Sequence, residues 1–363
     1  MLDVLTVCSG IEAPSVAWRG LPFYFTGYSE IDPFACRLLA ERHANVTNYG
    51  DLLEHEQWEL ERPDVIVSGT PCQSFSVAGR RGGMDDERGR VALAFLALVA
   101  RVRPRWILWE NVPGVLHSNE GRDFGTMLGV LGKLGYGCAW RVFNARYFGV
   151  PQQRRRVYLV GYFDDERPAG AVLFERPSLS RHHKPRCKIR VSDSSPTLDL
   201  FRGDDRSGGI ELDDRVGGYV PKLANTLTRR MDKGVNTRLD EGHTPIAFSC
   251  KDYGNDASEV SPALRAMNNN KGRSNGGGQV AIASPSRARR LTPLECERLQ
   301  GFPDDYTRIP YNGRPASRCP DAPRYKALGN SMAVPVMRWI GERLLFVDSL
   351  KRGVNHETER GGG

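Results

Sequence analysis

Short apolar blocks and longer amphipathic stretches alternate along the first 160 positions of this chain. The blocks Val4 to Val7, Tyr24 to Ser29, Val65 to Ser68, Trp106 to Trp109 and Arg156 to Val160 are rich in β-branched and aromatic residues, and each is short enough to be a buried strand. Between them, Ala13 to Trp18, Pro33 to His43, Arg90 to Arg101 and Phe124 to Leu134 carry the three- and four-residue apolar spacing of helices. Strands that alternate with helices in this way predict an α/β fold with a doubly wound, mostly parallel sheet covered on both faces. Such sheets bind ligands outside the carboxyl ends of their strands. Polar and chemically useful residues follow Val7, Ser29, Ser68 and Trp109 directly.

The pattern changes after about Phe174. Gly, Asn, Ser, Asp and Arg dominate up to Ser286, which predicts a second, smaller, irregular β-rich domain. Three segments in it start alike: Ser195-Pro196-Thr197-Leu198, Asn225-Thr226-Leu227-Thr228 and Ser261-Pro262-Ala263-Leu264. Read as repeats they would be short β-hairpins facing a nucleic acid. Helical order returns at Leu291, where Thr292 and Glu295 form a capping box for a helix from Pro293 to Leu299. Ala333 to Val347 reads as an amphipathic helix able to pack back on the sheet. The expected division is a catalytic and cofactor-binding domain over 1–173 completed by 324–350. A DNA-reading domain then covers 174–323, and a disordered tail 351–363.

Composition narrows the partners. The 363 residues carry a formal net charge of +8, which fits a polyanion. The eight cysteines make no C-x-x-C pair and read as reduced thiols of a cytoplasmic protein. His182, His183 and Cys187 match no zinc spacing, so no metal is expected. The opening residues have no signal-peptide pattern, and Val91 to Val102 is too short to span a bilayer.

Four constellations carry candidate chemistry. Pro71-Cys72-Gln73-Ser74 follows a buried strand, where a thiol can meet a ligand. Glu110-Asn111-Val112 follows a tryptophan-rich strand and presents a carboxyl to the same cleft. Arg154 and Arg156 share one strand face by period two and need an anionic partner, a phosphate or Glu110. Cys8-Ser9-Gly10-Ile11-Glu12 opens a helix after the first strand, and Glu30 with Ile31 follows the second. That is the geometry of a ribose-binding cradle. Asp51, with Leu52 beside it, is a candidate for an adenine amino group. A pyrophosphate is not expected, because a full G-x-G-x-x-G is missing.

Together these segments closely resemble the cytosine-5 DNA methyltransferase family, bacterial or phage type. The resemblance rests on Pro71-Cys72-Gln73, Glu110-Asn111-Val112 and Gln152-x-Arg154-x-Arg156. It continues through Arg289-x-Leu291-Thr292-x-x-Glu295-x-x-Arg298-Leu299-Gln300-Gly301-Phe302-Pro303 and Gly329-Asn330-Ser331, in the family's order. It implies the S-adenosylmethionine-dependent methyltransferase fold, with that cofactor held by Cys8, Ser9, Gly10, Ile11, Glu12, Glu30, Ile31, Asp51, Leu52, Pro71, Asn330 and Ser331. S-adenosylhomocysteine is the implied product. It implies Cys72 as nucleophile on carbon 6 of a flipped-out cytosine, Glu110 at N3 and the exocyclic amine, and Arg156 at the carbonyl oxygen with Arg154 close by. The segment Ala78 to Gly89 would be a loop that closes over double-stranded DNA. A monomer is expected, in a bacterial or phage-infected cell, with a restriction endonuclease encoded separately as a possible partner. The family's first motif usually reads Phe-x-Gly-x-Gly-Gly, and here Cys8, Glu12 and Ala13 stand for the aromatic and the last two glycines. A tRNA-methylating branch and a non-catalytic relative are the alternatives. Intact Cys72, Glu110 and Arg156 speak against the second.

Overall fold

The computed structural model describes residues 1–70, 87–174, 246–249, 261–262, 264, 280–284 and 287–360. The first half of the chain builds one sheet and its helices. In order these are β1 (Leu2–Val7), α1 (Ala13–Ala17), β2 (Phe23–Ser29), α2 (Pro33–Arg42), β3 (Thr47–Asn48), β4 (Val65–Ser68), α3 (Glu87–Val102), β5 (Trp106–Asn111), α4 (Arg122–Lys133), β6 (Tyr136–Asn144), β7 (Gln152–Gln153), β8 (Arg155–Phe163) and α5 (Arg167–Leu173). Further on come β9 (Ile246–Ser249), β10 (Ser261–Pro262), β11 (Val280–Ser284), β12 (Arg287–Arg290), α6 (Pro293–Gln300), α7 (Asp321–Asn330) and α8 (Val334–Arg360).

The main sheet has seven strands in the order β3-β2-β1-β4-β5-β8-β6. β1 to β5 run parallel, and β8 lies antiparallel between β5 and β6. The mostly parallel, doubly wound reading therefore holds, with one reversed strand. The spacing of apolar residues gave strand β8 but not its direction. β6 was not expected at all: its burial is intermediate along most of its length, so it offers no apolar run to recognise.

Period two assigns the strand residues to two cores. Leu2, Val4, Val65, Val67, Trp106, Leu108, Tyr158 and Val160 face one side, with α1, α2, α5 and α8. Leu5, Val7, Ile66, Ile107, Trp109, Val157 and Leu159 face the other, with α3 and α4. A strand buried on both faces has to be apolar throughout, and all four residues of β4 are buried.

The C-terminal part of the chain returns to the first of these cores. Leu291, Cys296, Phe302, Tyr306 and Ile309 belong to it together with Val4 and Trp18. The capping box of α6 forms as expected, with Thr292 N–H donating to Glu295 Oε2 at 2.7 Å and Glu295 N–H donating to Thr292 Oγ1 at 3.3 Å. After it, the buried carboxylate of Glu297 accepts from Asp305 N–H and Thr307 N–H, each at 2.8 Å, and from Arg324 Nη2 at 3.2 Å. α8 starts near the expected place but continues as helix to Arg360, past the Lys351 boundary set for a disordered tail. Asp348 on α8 accepts from Trp106 Nε1 at 3.0 Å and Arg105 Nη1 at 3.1 Å, which ties the helix to β5.

The three-stranded sheet β12-β11-β9 is antiparallel. Ser261-Pro262 pairs in parallel with Gln152-Gln153 of β7, and the positions that would complete a hairpin from it lie outside the described residues. The other two repeat-like segments lie outside the described residues.

Gly341 on α8 is where that helix meets Trp18. A Cβ there would lie 2.2 Å from the indole nitrogen, whose N–H donates to Met337 O at 2.7 Å. Gly341→Ala should lower stability by about 1–3 kcal/mol, the usual cost of overpacking. Urea unfolding monitored by tryptophan fluorescence reads this directly. An unchanged midpoint would mean the contact is loose.

Candidate active site

The carboxyl ends of β1, β4 and β5 meet at one cleft. Its wall includes Cys8, Ser9 and Gly10 after β1, Gly69 after β4 and Glu110 in β5. Asn330 and Ser331 join it from the end of α7. Of the residues expected to hold a cofactor, Cys8, Ser9, Gly10, Glu12, Asn330 and Ser331 line this cleft, whereas Ile11, Glu30, Ile31, Asp51 and Leu52 do not.

The turn after β1 is built from left-handed backbone. Cys8, Gly10 and Glu12 have φ of 51°, 56° and 57°. A Cβ on Gly10 would meet nothing within 4 Å, so the surface over that turn is open. Glu30 closes the turn from below. Its Oε2 accepts from Gly10 N–H at 2.6 Å, and its Oε1 accepts from Ile31 N–H at 2.8 Å and Asp32 N–H at 2.7 Å. A carboxylate has about four acceptor sites, so one remains for an outside donor. Asp51 Oδ1 accepts from Leu53 N–H at 2.9 Å and starts a 3-10 helix at Leu52. Leu52 is buried, whereas Ile31 is 62% exposed. Burial, then Glu30 and Asp51, push the Cys8 thiol up to about 12, so this cysteine packs rather than reacts.

Two residues beyond β4, Thr70 is fully buried and held from β5. Trp109 Nε1 donates to Thr70 Oγ1 at 2.9 Å, and Asn111 Nδ2 donates to Thr70 O at 2.9 Å. The next two residues, Pro71 and Cys72, lie outside the described residues, as does most of the stretch from Ala78 to Gly89. Its last residues begin α3. Thr70 and Trp109 were not singled out in the sequence, since only their hydrogen bonds reveal their part.

Glu110 and Asn111 do not follow β5 but end it, paired with Tyr158 and Val157 of β8. Glu110 is 7% exposed. Arg156 Nε lies 3.2 Å from Glu110 Oε1, yet that oxygen accepts no hydrogen bond. The two form an ion pair without an aligned donor. Burial raises the Glu110 pKa, and Arg156 and then Arg154 oppose the rise. The hydroxyl of Tyr158 is also buried and unpartnered.

Arg154 departs from the expectation that it shares a strand face with Arg156 and an anion with it. It sits in the link before β8, is 2% exposed, and has four hydrogen bonds to carbonyl oxygens. Nη1 donates to Leu264 O at 3.1 Å and Gly329 O at 3.2 Å. Nη2 donates to Gly329 O at 3.2 Å and Ser331 O at 2.6 Å. Carbonyl dipoles here replace the anion. Burial, then Arg156, lower its pKa to about 9. Gln152 adds a second staple, donating to Leu299 O at 2.8 Å and accepting from Leu264 N–H at 3.2 Å.

Two outcomes follow. Arg154→Lys keeps the charge but loses the planar fork, and should cost about 3 kcal/mol in urea unfolding. A change below ~0.5 kcal/mol, the size of an ordinary surface substitution, would contradict the clamp. Burial pushes the Glu12 carboxyl up to about 7. The folded state then holds a proton the unfolded chain releases near 4.5, so stability falls as pH rises between those values. Glu12→Gln should raise the melting temperature at pH 8 and leave it nearly unchanged at pH 4.5. Equal shifts at both pH values would disprove the cost of ionisation.

Comparison with known proteins accords with this geometry. A family model for C-5 cytosine-specific DNA methylase matches residues 2–345. A protein of Escherichia phage P1 named DNA N-6-adenine-methyltransferase is 33% identical over 466 aligned residues, which cover 93% of this chain and 60% of that one. This chain therefore spans well under two thirds of the phage protein. The type II methyltransferase M1.ScrFI of Lactococcus lactis subsp. cremoris is 31% identical over 320 residues, 88% of this chain and 71% of the relative. The crystal structure of the S. pombe Dnmt2 methyltransferase superposes with a TM-score of 0.59 at 18% identity. It covers 96% of this chain and 99% of the other, and so shares the fold. With all but its first residue and its last eighteen inside the family model, the chain belongs to the C-5 cytosine-specific DNA methylases.

Proposed function

We propose that this chain transfers a methyl group from S-adenosylmethionine to carbon 5 of a cytosine flipped out of duplex DNA, through a covalent adduct at Cys72. The observation that carries this reading is Glu110. Burial raises the pKa of this carboxyl while Arg156 and then Arg154 oppose the rise, and in its protonated form it offers one O–H donor beside one acceptor oxygen. The edge of cytosine presents the complement: an acceptor at N3 and an amino donor beside it. Arg156, which lies against Glu110, would donate to the base's carbonyl oxygen.

The cleft supports the cofactor. Glu30, which holds the Gly10 N–H of the turn and keeps one acceptor site, would take a ribose hydroxyl, the exposed Ile31 would meet an adenine face, and Asp51 with Leu52 would lie beside it. Cys8, Ser9, Gly10, Ile11 and Glu12, with Pro71, Asn330 and Ser331, would enclose the methionine end. When bound, this cofactor supplies an electrophilic methyl on a sulfonium. The chain's own residues prepare the acceptor. The Cys72 thiolate bonds to carbon 6, and the electron pair of the 5,6 double bond shifts toward carbon 5 and the N3 side, where Glu110 gives its proton. Thr70, pinned by Trp109 and Asn111, holds the backbone immediately before the nucleophile. Loss of the carbon 5 proton then expels Cys72.

We assign the catalytic unit to 1–173 with 324–350, and the duplex-reading unit to residues after 173. Leu291 to Ile309 share the catalytic core, which favours ending the reading unit near 290 rather than 323. The chain is read as a monomer of the bacterial or phage-infected cytoplasm, paired with a restriction endonuclease where one is encoded. No helix among the described residues is long and apolar enough to cross a membrane. Transfer to adenine N6, the activity in the name of the phage P1 relative, is the second reading. Ser68-Gly69-Thr70-Pro71-Cys72 disfavours it, because amino methylation uses an Asp/Asn/Ser-Pro-Pro-aromatic strand end.

Bisulfite sequencing of host DNA after expression separates these readings. Protected cytosines in a defined sequence are expected. Full conversion with N6-methyladenine present would favour the second reading. Cys72→Ser should abolish methylation while cofactor binding persists. Glu110→Gln should slow it by roughly 10²-fold or more, the scale of a lost general acid. Undiminished activity in either variant would remove that residue from the mechanism.

A further inference from the structure

Glu12 lines the cleft, and the proposed chemistry gives its charge no task. Its side chain is fully buried, its backbone is left-handed, and one carboxylate oxygen, Oε2, has no hydrogen-bond partner. Each of these is unfavourable. A left-handed φ suits glycine, the residue usual at this position in the family that the chain resembles. An unpartnered buried oxygen forfeits the hydration it had in water. Costs gathered on one residue at a ligand cleft point to a role there.

The surroundings say what kind of ligand. Thr6 Oγ1 of β1 donates to Glu12 Oε1. Ser15 of α1 is close enough to ease its charge, but the Ser15 hydroxyl donates to the Glu12 carbonyl at 3.3 Å. Tyr28 of β2 and Tyr306 beyond α6 face it as phenols, and Glu30 at the end of β2 adds a second negative charge. The ionisable side chains lining the cleft are Cys8, Glu12 and Glu110, with no lysine, arginine or histidine among the described lining residues. Glu110 has Arg156 against it, whereas the charged neighbour acting on Glu12 is itself acidic. A site walled this way favours a cation.

We propose that Glu12 tells the sulfonium cofactor from its thioether product, attracting the positively charged S-adenosylmethionine and releasing the neutral-sulfur S-adenosylhomocysteine. The inference rests on the cofactor reading above. The two ligands differ at that centre by one methyl and one unit of charge. An anionic Glu12 therefore acts on their difference and leaves shared contacts untouched. Binding the cation favours ionised Glu12, so it drives off the proton that burial retains. Affinity for S-adenosylmethionine then rises with pH through neutrality, while that for S-adenosylhomocysteine changes less. A neutral side chain of the same shape removes the distinction.

Isothermal titration of the whole chain with each ligand, at pH 6 and pH 8 and without DNA, tests this by binding alone. The wild type should prefer S-adenosylmethionine more strongly at pH 8, by roughly tenfold relative to Glu12→Gln, the factor carried by one unit of pKa displacement. In buffers of differing ionisation enthalpy the wild type should release protons on binding that ligand, and Glu12→Gln should release fewer. Glu12→Gly, which relieves the backbone, supplies a second neutral variant should glutamine fold poorly. Glu110→Gln separates the other carboxyl and should retain the pH dependence. If both ligands bind and the variants keep the wild-type ratio and proton release, the inference is overturned while the cofactor reading stands. If neither ligand binds the wild type, the cofactor reading fails and the inference with it.

Discussion

The guanidinium of Arg154 is the constraint on which the site depends. A permanently charged group in a dry interior must be surrounded by acceptors, and an ordinary strand cannot supply them. Here they come from Leu264, Gly329 and Ser331, which are 110, 175 and 177 positions further along the chain. The cation thus requires three distant backbones to converge before its burial is tolerable. Once they do, Asn330 and Ser331 line the same cleft as Gly10 and Glu110. Gln152 repeats the arrangement two residues earlier with Leu264 and Leu299. The cleft is assembled by polar side chains that grip backbone, and the apolar cores fill in around them.

That logic separates what was legible in the sequence from what was not. The central strands were readable because burial on both faces forces an uninterrupted apolar run, as in Val65 to Ser68 and Trp106 to Leu108. The capping box of Thr292 and Glu295 was readable because both partners lie within one helical turn. β6 was not, since its half-buried residues have no strong pattern. The direction of β8 was not, since a strand's composition does not tell which way it runs. The role of Arg154 was the hardest to see. Spacing put it on the face of Arg156 and chemistry asked for an anion, but backbone carbonyls from residues far away serve instead. Sequence motifs name the residue types at a site, and distant acceptors decide which of them reach the ligand.

The cleft is also unequal in its demands. Glu110 has its charge answered by Arg156, and Glu30 has its oxygens filled by backbone N–H groups. Trp109 and Asn111 take Oγ1 and the carbonyl of Thr70, and its N–H donates to Ser68 Oγ, so the chain just after β4 has little freedom. Glu12 is the cleft carboxyl whose charged neighbour is acidic and whose backbone is left-handed. The contrast separates parts that hold shape from a part that responds to what is bound.

The long helix from Val334 has a consequence for how the molecule comes into being. It supplies the partner for Trp18 through Met337, and the partner for Trp106 through Asp348. Both tryptophans sit in the first third of the chain. While the ribosome is still adding the middle region, one face of the sheet has α1, α2 and α5 but lacks this helix, and the apolar residues it would cover stay in water. Domains usually fold as units during synthesis, N-terminal part first. This one must wait until its last helix has left the exit tunnel, so its nascent form is the stage at which a chaperone would have most to bind.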